Sequence, residues 1–227
     1  IKGRFQKEIL TPALCVGYGF VPSNGLSLAA GAKQEFKHGQ WGPVRDRNMQ
    51  TTVDGLFAVG DGARINGAAV AGYEGSVASI SASLYLKKMS VSKADKKRNL
   101  LFRKIKNEER LREQFTRIME FPDRLYDLAC DDTTICRCEE INLKQFKEAV
   151  KKSGPDINEI KRLSRIGMGI CQGRTCCSSA IKIASKLTGI SPEKLGTLSP
   201  RPPFKPVTLG QLANKQSLGE KNETFKN

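Results

Sequence analysis

Apolar residues along this chain occur first in short unbroken runs and later at helical spacing. Leu14-Cys15-Val16-Gly17-Tyr18-Gly19-Phe20-Val21-Pro22 is apolar and ends in Gly and Pro, which predicts a buried strand running into a turn. Trp41-Gly42-Pro43-Val44 and the turn Thr51-Thr52-Val53-Asp54-Gly55 lead to a second run, Leu56-Phe57-Ala58-Val59. With no polar alternate, that run predicts a strand covered on both faces, ending at Gly60-Asp61-Gly62. Ala68–Lys87 is rich in Ala, Ser and Gly, and predicts a helix small enough on one side to lie against a strand or ligand. Ser92–Phe121 predicts a long amphipathic helix with Leu101, Ile105, Leu111, Phe115, Ile118 and Met119 near one face. Pro122 stops it, and it reads as a linker or packing arm.

From Thr134 the spacing is helical and the elements are short. Asn142 is placed to cap a helix carrying Leu143, Phe146 and Val150 that stops near Gly154. Asp156 is placed to cap a second, with Ile157, Ile160 and Leu163 on one side. Gly167-Met168-Gly169-Ile170 breaks the pattern, and a third helix starts near Thr175–Cys177 and runs through Ile181, Ile183 and Leu187. Arg201-Pro202-Pro203-Phe204-Lys205-Pro206 predicts an extended tail, and Lys215–Asn227 reads as disordered.

Composition narrows the choices. At 39% hydrophobic and 27% charged residues the chain is globular in character, and no apolar run approaches the roughly 18–20 residues of a membrane span. The formal charge of +15 raises nucleic acid as a partner. The basic residues are scattered through Lys87–Arg117, Lys144–Arg165 and the tail, and with 7% aromatics no base-stacking set accompanies them. A solvated basic surface is the expectation, and no nucleic acid is expected. The start, Ile1-Lys2-Gly3-Arg4-Phe5, has neither Met nor a signal-peptide layout. It reads as the C-terminal portion of a longer polypeptide in the cytoplasm; a peripheral position on the inner membrane face stays open.

Of seven cysteines, five lie between Cys136 and Cys177, where clustering in a reducing compartment means metal or catalysis more often than disulfides. Cys136-x-Cys138 and Cys171-x4-Cys176 are separated by 32 residues. Each close pair is a local chelate, and two short helices between them return the second pair to the first, so folding and metal binding are coupled. Gly169 and Gly173 let the backbone pass close to the sulfurs, and a helix starting near Cys176 aims its positive end at them. These features suit an anionic iron–sulfur cluster. A zinc site uses the same four ligands, and spacing alone leaves both open. Cys177 is expected to be a packed or free thiol, and Cys15 and Cys130 to be buried small apolar side chains. The single histidine, His38, lies in a polar stretch and is expected to be solvated.

The stretch Cys136-Arg137-Cys138-Glu139-Glu140, with Gly167-Met168-Gly169-Ile170-Cys171-Gln172-Gly173-Arg174-Thr175-Cys176, resembles the bacterioferritin-associated-ferredoxin-like [2Fe-2S] domain. More narrowly it is similar to the version at the C-terminus of flavoprotein subunits of opine oxidases, hydrogen cyanide synthase and dye-linked proline dehydrogenases. Four residues between the last two cysteines, and the tail Arg201–Val207, match that branch. The resemblance covers most of residues 1–215 and implies Cys136, Cys138, Cys171 and Cys176 as ligands of a [2Fe-2S] cluster.

Thr52-Val53-Asp54-Gly55-Leu56-Phe57-Ala58-Val59-Gly60-Asp61 resembles the second FAD motif of flavoproteins with two dinucleotide-binding domains. Physically, a buried strand delivers a Gly-Asp pair at its C-terminal end, where ligands bind in open α/β sheets. The resemblance implies that Gly60 and Asp61 meet the ribityl chain and that the helix N-terminus at Gly67 and Ala68 approaches the flavin ring. The first FAD motif is absent: Gly17-Tyr18-Gly19 lacks the third glycine and is followed by Pro22. The FAD site in this chain is therefore expected to be incomplete.

The expectation is thus an α/β fragment, the C-terminal strands and helix of a two-dinucleotide-binding flavoprotein (residues 1–90). A helical linker (91–129), a small all-α [2Fe-2S]-binding domain (130–200) and an extended tail (201–227) follow. The resemblance implies an electron-transfer portion of a heteromeric flavin-dependent amine or amino-acid dehydrogenase of opine, proline or glycine type. Its partners would be other flavoprotein subunits and an electron acceptor, with no catalytic acid or base assigned. The rival is a zinc-stapled helical binding module with a basic surface.

Overall fold

A computed structural model describes residues 9–15, 17, 19–119, 123–204 and 207–213, with backbone only over 111–119 and at 123. Among these, eight α-helices and two short antiparallel ladders make up the fold. The N-terminal half contains α1 (Gly25–Ala29), the hairpin β1 (Gln34–Lys37) and β2 (Gln40–Pro43), and α2 (Ala68–Tyr85) packed along α3 (Val91–Met119). The C-terminal half contains the ladder β3 (Thr134–Cys136) with β4 (Ile141–Asn142), then α4 (Leu143–Ser153), α5 (Ile157–Ser164), α6 (Cys177–Thr188), α7 (Pro192–Leu195) and α8 (Leu209–Ala213).

The hairpin turns on His38 and Gly39, both at positive φ (51° and 73°), as a two-residue turn between twisted strands requires. His38 is exposed there, as expected. Gly42 of β2 has a packing reason to lack a side chain: a Cβ would lie 2.2 Å from the Ala63 carbonyl oxygen. This contact presses the hairpin against the loop that follows Gly60–Gly62.

Two expected strands are absent. Leu14 and Phe20 are 81% and 85% exposed, and the described part of 14–22 has no ladder partner. Leu56–Val59 forms no ladder: Phe57 makes an isolated bridge to Gln50, with backbone bonds from Thr51 N–H to the Leu56 carbonyl and from Ala58 N–H to the Met49 carbonyl. Both runs have the apolar composition of central strands, but the described residues supply no neighbouring strands to pair with them. The second run still ends where predicted, in a 3-10 turn at Gly60–Gly62.

α2 buries Val70, Glu74, Val77, Ala78 and Ser81, a stripe at helical spacing. One of its members is a carboxylate. Glu74 is 1% exposed, accepts the Gly60 N–H at 2.7 Å, and is paired with the Arg45 guanidinium. Arg45 also donates to the Ala58 carbonyl at 2.8 Å. The strand-like run and the Gly60 turn are thus fastened to α2 by a buried ion pair, and Met49, Val70, Val77, Ala78 and Ile105 pack around them. The long helix is a packing arm on α2. Its Leu111, Phe115, Ile118 and Met119 lie outside the described side chains, and Phe121 and Pro122 outside the described residues.

In the second half the capping residues act as their sequence positions require. Asn142 accepts the Gln145 N–H while the Gln145 side chain returns to the Asn142 N–H, each at 2.9 Å, a reciprocal box. Asp156 accepts from the N–H groups of Asn158 and Glu159. Phe146, Ile157, Ile160, Ile166, Ala180, Ile181, Ile183 and Ala184 form one core. Leu163 and Leu187 are 54% and 44% exposed, against the expectation. Their places on the inner face are taken by Ser164 and by Ile183 and Ala184. The unit is also not purely helical, because the β3–β4 ladder lies within it.

Replacing Glu74 by Gln leaves the Arg45 charge buried without its counter-ion, and loss of one partner of such a pair costs about 3 kcal/mol. A fall in Tm of about 10 °C is expected for the E74Q chain, measured by thermal denaturation followed by circular dichroism.

Candidate functional site

β3 carries Cys136 into the core, where it is 1% exposed, and the tight turn before β4 leaves Cys138 at the surface. The second pair is delivered by the loop between α5 and α6. Arg165 ends α5 in the left-handed region (φ 63°), and Gly167, Gln172 and Gly173 are also at positive φ. This run of turns passes Cys171, half-buried, and reaches Cys176, 2% exposed, at the N-cap of α6.

The thiols of the two motifs are neighbours: Cys176 feels both Cys136 and Cys171, and Cys138 feels both Cys171 and Cys136. Cys136 contacts Cys176 in the interior, and Cys138 contacts Cys171 at the outer edge. Each contact joins one member of the first sequence motif to one of the second. Among the described residues no group of three or more His, Cys, Asp or Glu side chains is placed to hold a metal ion.

Gly169 makes this approach feasible. A Cβ on Gly169 would sit 2.3 Å from the Cys138 Cβ, so only glycine lets the two loops come together. The loops are also joined by an ion pair, Arg165 Nε to Glu139 Oε2 at 2.8 Å.

The surroundings treat the thiols differently. Burial, reinforced by the neighbouring Cys136, pushes Cys176 up to about 12. Burial would also raise Cys171, but the Thr175 N–H, the Cys138 thiol, the Gly173 N–H and the Thr175 hydroxyl hold it below its ordinary value. The Cys171 N–H pulls Cys138 down, yet the Cys171 thiol and desolvation outweigh it and the group stands above its ordinary value. Backbone N–H groups are therefore aimed at sulfur in the outer pair, and the α6 N-terminus lies at the inner one. Both arrangements favour negative charge.

Cys177 packs against the helical core. Burial raises its thiol, opposed by the Leu198 N–H, Thr197 and Lys161. Cys15 and Cys130 are both exposed, so their reading as buried apolar side chains is corrected. Neither lies on the inner face of a helix or ladder. The Cys130 thiol is held low by the Thr133 hydroxyl, 3.4 Å away.

In the first half, Gly60 has φ 52°, and its N–H is committed to Glu74. Asp61 is exposed, and its backbone carbonyl accepts the Ser23 N–H at 2.7 Å. Gly67, at φ 86°, is the N-cap of α2, and Ala68 opens that helix. Asp61 and the α2 N-terminus thus both flank the Gly60–Gly67 loop.

Sequence reasoning missed Arg45, Glu74, Trp41 and Lys161. Glu74 and Lys161 did leave a signal. Each sits at helical spacing on a buried stripe, Glu74 between Val70 and Val77 and Lys161 beside Ile157 and Ile160. Arg45 and Trp41 gave none, since their burial depends on contacts distant along the chain.

A chain with this arrangement has its relatives among the components of oxidoreductases. Residues 132–216 match the family model of the sarcosine oxidase A3 domain. The opine oxidase A-subunit of Agrobacterium tumefaciens (strain Ach5) is 33% identical over 222 residues, which are 93% of this chain and 43% of the relative. The HcnB component of hydrogen cyanide synthase from Pseudomonas aeruginosa is 29% identical over 92% of this chain and 45% of its own length. The chain spans less than half the length of these relatives. The crystal structure of L-proline dehydrogenase from P. horikoshii superimposes with a TM-score of 0.64 at 24% identity, over 86% of this chain and 38% of that one. That likeness establishes a shared fold. No helix among the described residues is long and apolar enough to cross a membrane.

Two outcomes follow from the geometry. Gly169→Ala forces Cys138 away and destabilises the unit by about 1–3 kcal/mol, read by denaturant unfolding. Because folding raises Cys176 from 9.0 to about 12, the metal-free fold favours the neutral thiol. That contribution is complete below pH 9 and is lost as pH rises toward 12. Unfolding curves of the metal-free chain across this range should show stability falling with pH.

Proposed function

We propose that this chain is the electron-transfer portion of a flavin-dependent oxidoreductase subunit, with Cys136, Cys138, Cys171 and Cys176 as ligands of a [2Fe-2S] cluster. The observation that carries this reading is the meeting of thiols from the two motifs at one place. Four thiolates there suit a [2Fe-2S] centre, and a tetrahedral zinc would use the same ligands. Gly169 has the cradle geometry such a group needs, and the N–H groups directed at Cys171 would balance its negative charge. When bound, the cluster accepts and releases one electron at a time.

The FAD role is assigned to Gly60, Asp61, Gly67 and Ala68. Asp61 would accept a hydrogen bond from the ribityl chain, and the α2 N-terminus would favour an electron-rich flavin ring. Glu74 and Arg45 keep the Gly60 turn in position. Relatives named as oxidase and synthase subunits support assembly with other flavoprotein subunits. The substrate assigned by this proposal is an amine or amino acid, oxidised at a partner's flavin. A cytoplasmic location completes the proposal.

Anaerobic reconstitution with iron and sulfide tests it. The chain should turn reddish-brown and, after reduction, give the electron paramagnetic resonance signal of a [2Fe-2S] centre. That signal should vanish in Cys136→Ser and Cys171→Ser. A colourless chain that retains zinc and takes up no iron would overturn the reading.

A further inference from the structure

Between the β1–β2 hairpin and the helical unit lies a cavity of about 240 Å³. Its apolar wall includes Phe36 and Trp41 from the hairpin side, and Ile181 and Phe204 from the other. Its charged wall is Lys161, Arg174 and Lys182, and no Asp or Glu among the described residues lines it. A pocket with three cations and no carboxylate selects for an anion.

Two of the wall's polar groups are short of partners. Lys161 is 6% exposed, and the acceptor its ammonium has is the Ser199 carbonyl, one for three N–H donors. The indole N–H of Trp41 is buried with no hydrogen-bond partner. Buried polar groups are ordinarily satisfied, so each such group calls for an explanation. Arg174 donates to the Phe204 carbonyl, and Lys182 lies 6.0 Å from the Tyr126 ring centre.

We propose that this cavity binds a small monocarboxylate with a flat apolar body. Its carboxylate would be received by Lys161 and its body held by Trp41, Phe36 and Phe204. The apolar wall of Phe36, Trp41 and Phe204 beside the cations favours a ligand whose charge sits at one end of an apolar body. A free amino acid is disfavoured, because its ammonium would meet three cations and no carboxylate. The volume is below the usual range of drug-sized sites and suits a body of about one ring. The cavity borders the cysteine loop through Gly173, Arg174 and Cys177, and Lys161 lies within electrostatic reach of Cys176 and Cys177, so the titration is done on the metal-free chain, where its outcome does not depend on the cluster.

Trp41 is the sole tryptophan, so its fluorescence reports on the cavity directly. The full chain is titrated with 3-phenylpropanoate, the neutral 3-phenylpropanamide, phenylalanine and inorganic phosphate. The acid should give a saturable change with a Kd of about 1 mM or tighter, and the other three should bind at least about tenfold more weakly. In Lys161→Met the preference for acid over amide should disappear. Equal binding of acid and amide, tighter binding of phosphate, no saturable change with the acid, or a folded K161M chain that keeps the preference would overturn the proposal. The acid–amide comparison on the unaltered chain decides the matter if K161M does not fold.

Discussion

Everything at the cysteine centre depends on one constraint: two pairs of thiols separated by 32 residues must be brought to contact by a core in which Cys136 and Cys176 are buried among apolar side chains. The intervening residues are spent on α4 and α5, and the contact exists only when Phe146, Ile160 and Ile166 are buried together. The last turns of approach are backbone matters. Gly169 removes the one Cβ that would keep Cys138 away, and the left-handed residues from Arg165 to Gly173 wind the second loop back over the first. Packing, glycine placement and thiol chemistry are therefore a single problem here.

The N-terminal half solves a different problem with a buried charge. A strand-like run lacking a sheet around it is held to α2 through Arg45, Glu74 and the Gly60 N–H. Such a pair is a costly device in a low-dielectric interior, and its retention goes with geometry rather than with net stability. What it positions is the Gly60–Ala68 loop, where the flavin role is proposed. The hairpin then carries Trp41 across to the helical core, and the cavity with Lys161 is formed at that junction.

Much of the helical unit was legible in the sequence because its signals are local. Asn142 and Asp156 cap the helices their positions predict, Gly154 ends the first, and α6 begins at Cys177 as the apolar spacing implies. The strands were not legible. Leu14–Pro22 and Leu56–Val59 have the composition of central strands, but a ladder needs neighbours, and composition does not say whether they are present. Leu163 and Leu187 show the same limit at the scale of one residue: periodicity finds the inner face, and tertiary packing decides where that face ends. At the site, the cysteines and glycines were readable from spacing, whereas the Arg45–Glu74 pair and the partnerless groups at Trp41 and Lys161 arise from contacts across the chain.

The most direct test of the central claim is X-ray absorption at the iron edge of the reconstituted chain. The account predicts a first shell made of sulfur alone together with an iron–iron scattering path, as a [2Fe-2S] centre on the four thiols gives. A shell containing nitrogen or oxygen, or iron with no second iron nearby, would contradict it.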